Sequence, residues 1–163
     1  MRYILLMRHA KSSWDNRSQS DHARPLNLQG QNASEAMAKT LHAKGFAPDE
    51  IWASDSARTT ETAKIIMRVL PGPQTVKYNP KLYHASGQKI IEQINAFPPP
   101  EGNLMVLAHN PGMEQLFNDF TGRYISFPTA ACAVFKVKKE TEVWFKRDSL
   151  SFIDFIKPKD LDI

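Results

Sequence analysis

The sequence predicts an α/β protein, a three-layer α/β/α sandwich on a mostly parallel sheet with antiparallel edge strands. Short apolar runs, of the kind buried on both faces of a parallel sheet, alternate with segments whose apolar residues recur at helical spacing. Gly- and Pro-rich breakers punctuate that alternation, and the last third turns β-rich. The 163 residues suit a single domain spanning 1–163, long enough to bury a full core.

The elements follow in order. Tyr3 to Met7 is a continuous apolar run that reads as the first strand and ends abruptly in Arg8 and His9. After a polar loop, Asn32 to Lys44 sets Ala33, Ala36, Met37 and Leu41 at helical spacing and stops at Gly45, a C-cap residue. Glu50 to Ala53 is the second strand. Ser54-Asp55-Ser56 then supplies N-cap residues for a helix from Ala57 to Leu70, closed by Pro71-Gly72-Pro73. Thr75 to Tyr78 reads as a short third strand and Gly87 to Phe97 as a helix, and Pro98 to Gly102 breaks the chain before the fourth strand, Leu104 to Ala108. A helix from Gly112 to Phe120 follows. Two β-rich runs, Ala131 to Val137 and Val143 to Lys146, are expected to pair antiparallel across a turn at Lys138 to Glu142. Phe152 to Ile156 reads equally as strand or tail.

Composition narrows the function classes. Hydrophobic residues at 42% and charged residues at 23% are ordinary for a globular domain, so disorder is not the default. The net charge of +4 favours anionic partners in general. No dense Lys/Arg block exists, however, and Lys136-Val137-Lys138-Lys139 alternates as a solvated face does, so no nucleic-acid partner is expected. The N-terminal apolar run is shorter than a signal-peptide core, and no segment approaches the roughly 18 residues of a membrane span, so no membrane partner is expected either. Cys132, the one cysteine, lies in an apolar run and reads as a small buried hydrophobe. Without a disulfide framework the expected location is the cytoplasm.

Chemistry collects at three strand ends: Arg8 and His9 after the first, Ser54 to Ser56 and Arg58 after the second, His109-Asn110-Pro111-Gly112 after the fourth. If these strands are parallel neighbours, their carboxyl ends share the edge where open α/β sheets bind ligands. Two histidines and two arginines then converge on a crevice faced by helix N-termini. Arginine's planar fork donates bidentately to phosphate oxygens, and a phosphoryl transition state needs several such donors. The crevice therefore reads as a phosphate pocket. The arginines oppose a cation, and no Cys or carboxylate cluster completes a ligand set around His9 and His109, so neither metal nor cofactor is expected.

Several segments also resemble a known family. "LMRHAKSSW", "SDSARTTETA" and "LAHNPG" are similar to the three motifs of the histidine phosphatase superfamily, the phosphoglycerate mutase-like fold. "ARPLNLQG" at Ala23 to Gly30 and "FPTAACAVFKV" at Phe127 to Val137 further resemble the small SixA-type phosphohistidine phosphatases. The resemblance implies that His9 attacks phosphorus in line, giving a phosphohistidine intermediate that water hydrolyses. It implies that Arg8, Arg58 and His109 bind the phosphoryl oxygens, His109 as imidazolium, with Arg24, Ser12 and Asn110 as further substrate contacts. His9 must be neutral to attack, and flanking arginines favour that form.

One position departs from the family pattern. Where many members carry an acidic Leu-x-Glu, the source of the leaving-group proton, this chain reads Leu82-Tyr83-His84. Glu61, Glu92 and Glu101 fit a helix turn, an amphipathic helix and a loop, so His84 is either the acid or an exposed loop residue. An imidazole leaves a phosphoramidate readily once protonated, whereas an alkoxide calls for a positioned acid. Only Asn79 to Asn103 separates the third and fourth strands, so no sizeable cap insertion is expected. An uncapped site admits phosphohistidine on a folded protein such as a phosphotransfer domain, with the loop from Ser13 to Arg24 as docking rim. The leading expectation is a metal-independent protein phosphohistidine phosphatase. Its alternatives are a small-molecule phosphomonoesterase with the same nucleophile and a catalytically silent phosphate- or phosphoprotein-binding module; phosphate or sulfate suits the pocket in every case.

Overall fold

In the computed structural model, residues 2–138 and 143–161 are described. The strands are β1 (Tyr3–Arg8), β2 (Glu50–Ala53), β3 (Thr75–Tyr78), β4 (Leu104–Ala108), β5 (Cys132–Val137) and β6 (Leu150–Ile156). The helices are α1 (Leu28–Ala43), α2 (Ala57–Val69), α3 (Gly87–Asn95) and α4 (Gly112–Thr121). One sheet results, in the order β3-β2-β4-β1-β5-β6. The first four strands are parallel; β5 runs antiparallel to both β1 and β6.

Strand β1 shows why the apolar runs are continuous. Ile4 and Leu6 point into one core, with Ile90, Ile94, Leu116 and Phe117 of α3 and α4. Leu5 and Met7 point into the other, with Met37, Leu41, Ile65 and Ile66 of α1 and α2. Both faces are covered, so alternation has no polar phase. Right-handed crossovers explain which helix lies where: the chain steps in one direction from β1 through β2 to β3, then reverses to reach β4, which sends α3 to the opposite face. Register brings the ends of three strands together, Arg8 beside Ala108 and Ala53 beside Leu107.

The structure departs from the sequence reading chiefly at the start of α1, at Val143 to Lys146 and at the partner of β5. Helix α1 begins a turn early, at Leu28, where the Asn27 side chain caps it by accepting from Gly30 N at 2.8 Å. Leu28 is 70% exposed, so the apolar spacing that marks the rest of the helix is absent from its first turn. Gly30 is needed there because a Cβ would collide with the Lys11 carbonyl oxygen. Val143 to Lys146 is not a strand. Trp144 and Phe145 instead plug the core, with Trp144 Nε1 donating to Phe97 O (3.1 Å) and Phe145 N to Asn95 Oδ1 (2.9 Å). Because Asn95 Nδ2 also donates to Phe145 O at 2.9 Å, the end of α3 replaces a strand partner, and the helix stops there rather than at Phe97. The antiparallel partner of β5 is β6, pairing Cys132 with Ile156 and Val137 with Leu150. Residues 139–142 of the expected turn lie outside the described residues.

Between β3 and β4 the chain makes one 3-10 turn, Pro80–Leu82, and then α3. The loop joining them, which carries His84, packs tightly on the start of α4: a Cβ on Gly112 would strike the Ala85 carbonyl oxygen. Cys132 is buried, and burial pushes its thiol pKa well above the usual range. Among the described residues no helix is long and apolar enough to cross a membrane.

Candidate active site

The end of β1 continues its ladder one step further, with His9 N donating to Ala108 O at 3.1 Å. Ala10 N donates to Thr62 Oγ1 of α2 at 3.1 Å, which pins the exit loop. His9 is thereby held almost wholly buried. Its Nδ1 lies 2.7 Å from the Ala10 carbonyl oxygen. A carbonyl only accepts, so Nδ1 carries the proton and Nε2 keeps its lone pair. Arg58 Nε donates towards that lone pair from 3.4 Å.

Arg58 enters from the first turn of α2, whose N-cap is Ser56. It is buried, and its Nη2 stands 3.4 Å from His109 Nδ1. The other ring nitrogen, His109 Nε2, lies 2.6 Å from Ser54 Oγ, which in turn donates to Thr59 Oγ1 at 3.0 Å. A guanidinium only donates, so His109 presents its Nδ1 lone pair to Arg58 and its Nε2–H to Ser54. Ser54, read from sequence as a cap residue, thus orients a ring.

Two further arginines close the pocket. Arg8 Nη1 donates to Phe127 O at 3.1 Å, while its buried Nε has no partner. Arg24 Nε donates to Ser13 O (3.1 Å), Nη1 to Asp21 Oδ1 (2.8 Å) and Nη2 to Ser12 Oγ. The Trp14 ring stacks on the Arg24 guanidinium, 3.2 Å from centroid to carbon. Arg8, His9, Ser12, Arg24, Arg58, His109 and Asn110 line one cavity of about 320 Å3. Among the described residues no cluster of three or more His, Cys, Asp or Glu could hold a metal ion.

Electrostatics set both rings neutral. Burial, reinforced by Arg58, Arg8 and Arg24 and opposed by the Ala10 hydrogen bond, lowers the His9 pKa to about 3. Burial, then the charges of His9, Arg58 and His84, likewise lowers that of His109. In the free protein His109 is therefore an imidazole, where the sequence reading has an imidazolium; the counter-charge that would protonate it is a bound phosphoryl dianion.

Stability follows from the same shifts. Below the unfolded value of 6.5 the unfolded chain protonates both histidines while the folded chain keeps them neutral, so the unfolded state binds more protons and stability falls as pH drops. Each ring contributes a limiting slope of about 1.4 kcal/mol per pH unit. Urea midpoints at neutral pH and about pH 5 are expected to show a marked acid loss, reduced in His109→Gln; a midpoint independent of pH would contradict the neutral pair.

Of the residues singled out from sequence, Arg8, His9, Arg24, Arg58 and His109 meet in one place. Ser12 lines the wall and braces Arg24. Asn110 also lines it, but both ends of its amide are engaged, with Phe127 O (3.0 Å) and Glu114 N (3.1 Å). His84 is half exposed and still reaches the site, its Nε2 3.3 Å from Arg58 Nη2. It adopts a left-handed φ of 54° and stacks on Tyr83 at 4.0 Å. Sequence reasoning missed Asp21 and Tyr83. Asp21 Oδ2 accepts from Arg58 Nη2 (3.0 Å) and from the Tyr83 hydroxyl, and lies 3.1 Å from His84 Nε2. The one local signal was its i,i+3 spacing from Arg24.

Comparison with known proteins adds independent findings. The profile of the histidine phosphatase superfamily, branch 1, matches residues 4–86. An uncharacterised chloroplast protein of Arabidopsis thaliana is 31% identical over 144 residues, 82% of this chain; the chain spans 65% of the length of that relative. Among solved structures, a protein of Agrobacterium tumefaciens assigned as the phosphohistidine phosphatase SixA matches with a TM-score of 0.80 at 26% identity, over 96% of this chain and 98% of the other. A protein histidine phosphatase SixA complexed with tungstate matches with a TM-score of 0.79 at 20% identity, over 97% and 98% of the two chains. Phosphoserine phosphatase of Entamoeba histolytica matches with a TM-score of 0.69 at 11% identity, over 96% and 98%. The last two are likenesses of fold.

Proposed function

The chain belongs to the histidine phosphatase superfamily, and from that premise we propose that it is a metal-independent phosphatase acting on phosphohistidine carried by another protein. The observation that carries this reading is the His9 Nε2 lone pair, left unprotonated by the Nδ1–Ala10 contact in a cavity walled by guanidiniums. A pocket that only bound phosphate would not need a nucleophile among its donors.

In this reading Arg8, Arg58 and Arg24 receive the non-bridging phosphoryl oxygens. His9 Nε2 attacks phosphorus, and the P–N bond to the substrate imidazole breaks as that nitrogen takes a proton from His84. Water then attacks phosphorus, its proton goes back to His84, and the bond to Nε2 breaks to release phosphate. His109 gains a proton when the dianion arrives and donates from Nδ1.

A protein substrate suits the open mouth. Trp14 at the rim is 71% exposed, and the chain between β3 and β4 supplies a turn and one helix rather than a cap. The 26% identical Agrobacterium protein is assigned as a phosphohistidine phosphatase, which supports the phosphohistidine half of the reading. A phosphotransfer domain has the required chemistry, and the single buried thiol suits a reducing cytoplasm.

Phosphate release from a phosphohistidine protein and a phosphoserine peptide, assayed side by side, tests the proposal. Preferential release from phosphohistidine is expected. Turnover of phosphoserine or sugar phosphates alone would make the protein a phosphomonoesterase, and phosphate binding without turnover would make it a binding module.

A further inference from the structure

A carboxylate beside a dianion pocket works against binding, and the mechanism above gives Asp21 no task. Its contacts explain its presence. A guanidinium has an end-on edge, Nη1 with Nη2, and a side-on edge that includes Nε. The end-on edge of Arg58 is held by two oxygens of Asp21, Nη1 donating to its carbonyl oxygen (2.8 Å) and Nη2 to Oδ2 (3.0 Å), with His84 Nε2 beside Nη2 at 3.3 Å. The side-on edge faces His9 Nε2 and His109 Nδ1, each at 3.4 Å. Oδ1 meanwhile holds Arg24 Nη1 at 2.8 Å, so one carboxylate sets two arginines.

We propose that Asp21 is a positioning residue that clamps the end-on edge of Arg58, leaving the side-on edge aimed at the phosphoryl oxygens on His9. This rests on the phosphatase reading and adds a residue to it. The 3-10 turn Asp21–Ala23, capped by Ser20, presents the carboxylate and the carbonyl together. Burial opposes ionisation there, but hydrogen bonds from Tyr83, Arg24 and Arg58 outweigh it and hold the carboxyl well below the usual range, so the clamp stays charged at neutral pH.

The clamp has a signature that a purely structural ion pair lacks. Removing its charge raises the positive potential of the pocket, which tightens binding of a bare anion, while freeing Arg58 to swivel, which slows the reaction. Affinity and kcat move in opposite directions. In Asp21→Asn, kcat for phosphohistidine is expected to fall about 10- to 100-fold, and inorganic phosphate, followed by titration calorimetry, to bind several-fold tighter. Asp21→Glu restores the charge at a side chain that is 38% exposed. It is expected to regain most of kcat and wild-type phosphate affinity. If Asp21→Asn does not fold, Asp21→Ser vacates the same acceptor and reads the same split.

An Asp21→Asn kcat within about threefold of wild type, or kcat and phosphate affinity falling together in both variants, would overturn the proposal. If the wild-type protein turns over no phosphohistidine, the phosphatase reading fails separately, and the titration still decides the clamp. Tighter phosphate in Asn with wild-type affinity in Glu upholds it; unchanged or weaker phosphate in Asn removes it.

Discussion

His9→Ala is expected to lower phosphohistidine turnover on the order of ten-thousand-fold while leaving phosphate binding largely intact. The large effect follows from the lack of a substitute. His109 Nε2 is committed to Ser54, and its Nδ1 lone pair faces Arg58. Cys132 is buried with its thiol held protonated. Removing the imidazole leaves Arg8, Arg24, Arg58 and His109 to bind an anion with nothing to attack it. Single-turnover assays quenched without acid read both halves: phosphate should accumulate on the wild-type protein at His9 and on the variant not at all. Turnover surviving in His9→Ala would remove His9 as nucleophile.

Arg58→Ala is expected to cost about 100- to 1,000-fold in kcat, the scale for losing a preorganised donor to developing charge. Two features raise it above an ordinary arginine loss. Arg58 is the sole described donor to His9 Nε2, and its one guanidinium joins His9, His109 and Asp21. Arg58→Lys should recover little, because an ammonium cannot serve Asp21 along one edge and the phosphoryl group along another. The measurement is kcat and KM for both variants. A lysine variant at near wild-type kcat would mean that charge alone matters at this position.

The sequence revealed what local pattern encodes. Strands β1, β2 and β4 were legible because burial on both faces forces apolar runs, and Arg8, His9, Arg58 and His109 because each ends such a strand or follows it by a few residues. The first turn of α1 was hidden because Leu28 faces solvent. Val143 to Lys146 was misread because a plug of buried aromatics has the same composition as a strand, and only the distant Asn95 distinguishes them. Asp21 escaped for a related reason: its decisive partner, Arg58, lies 37 residues on, beyond α1 and β2, and Asp21 itself sits in a polar connection with no periodicity.

The hydrogen bond from His9 Nδ1 to the Ala10 carbonyl also fixes regiochemistry. A phosphoryl group taken up by this ring can join only the nitrogen remote from the main chain, giving the tele isomer of phosphohistidine and never the pros isomer. The substrate's own histidine is under no such constraint, so donor and enzyme need not carry the phosphate on the same nitrogen: the P–N bond broken on the donor is of either isomer, and the one formed on His9 is tele.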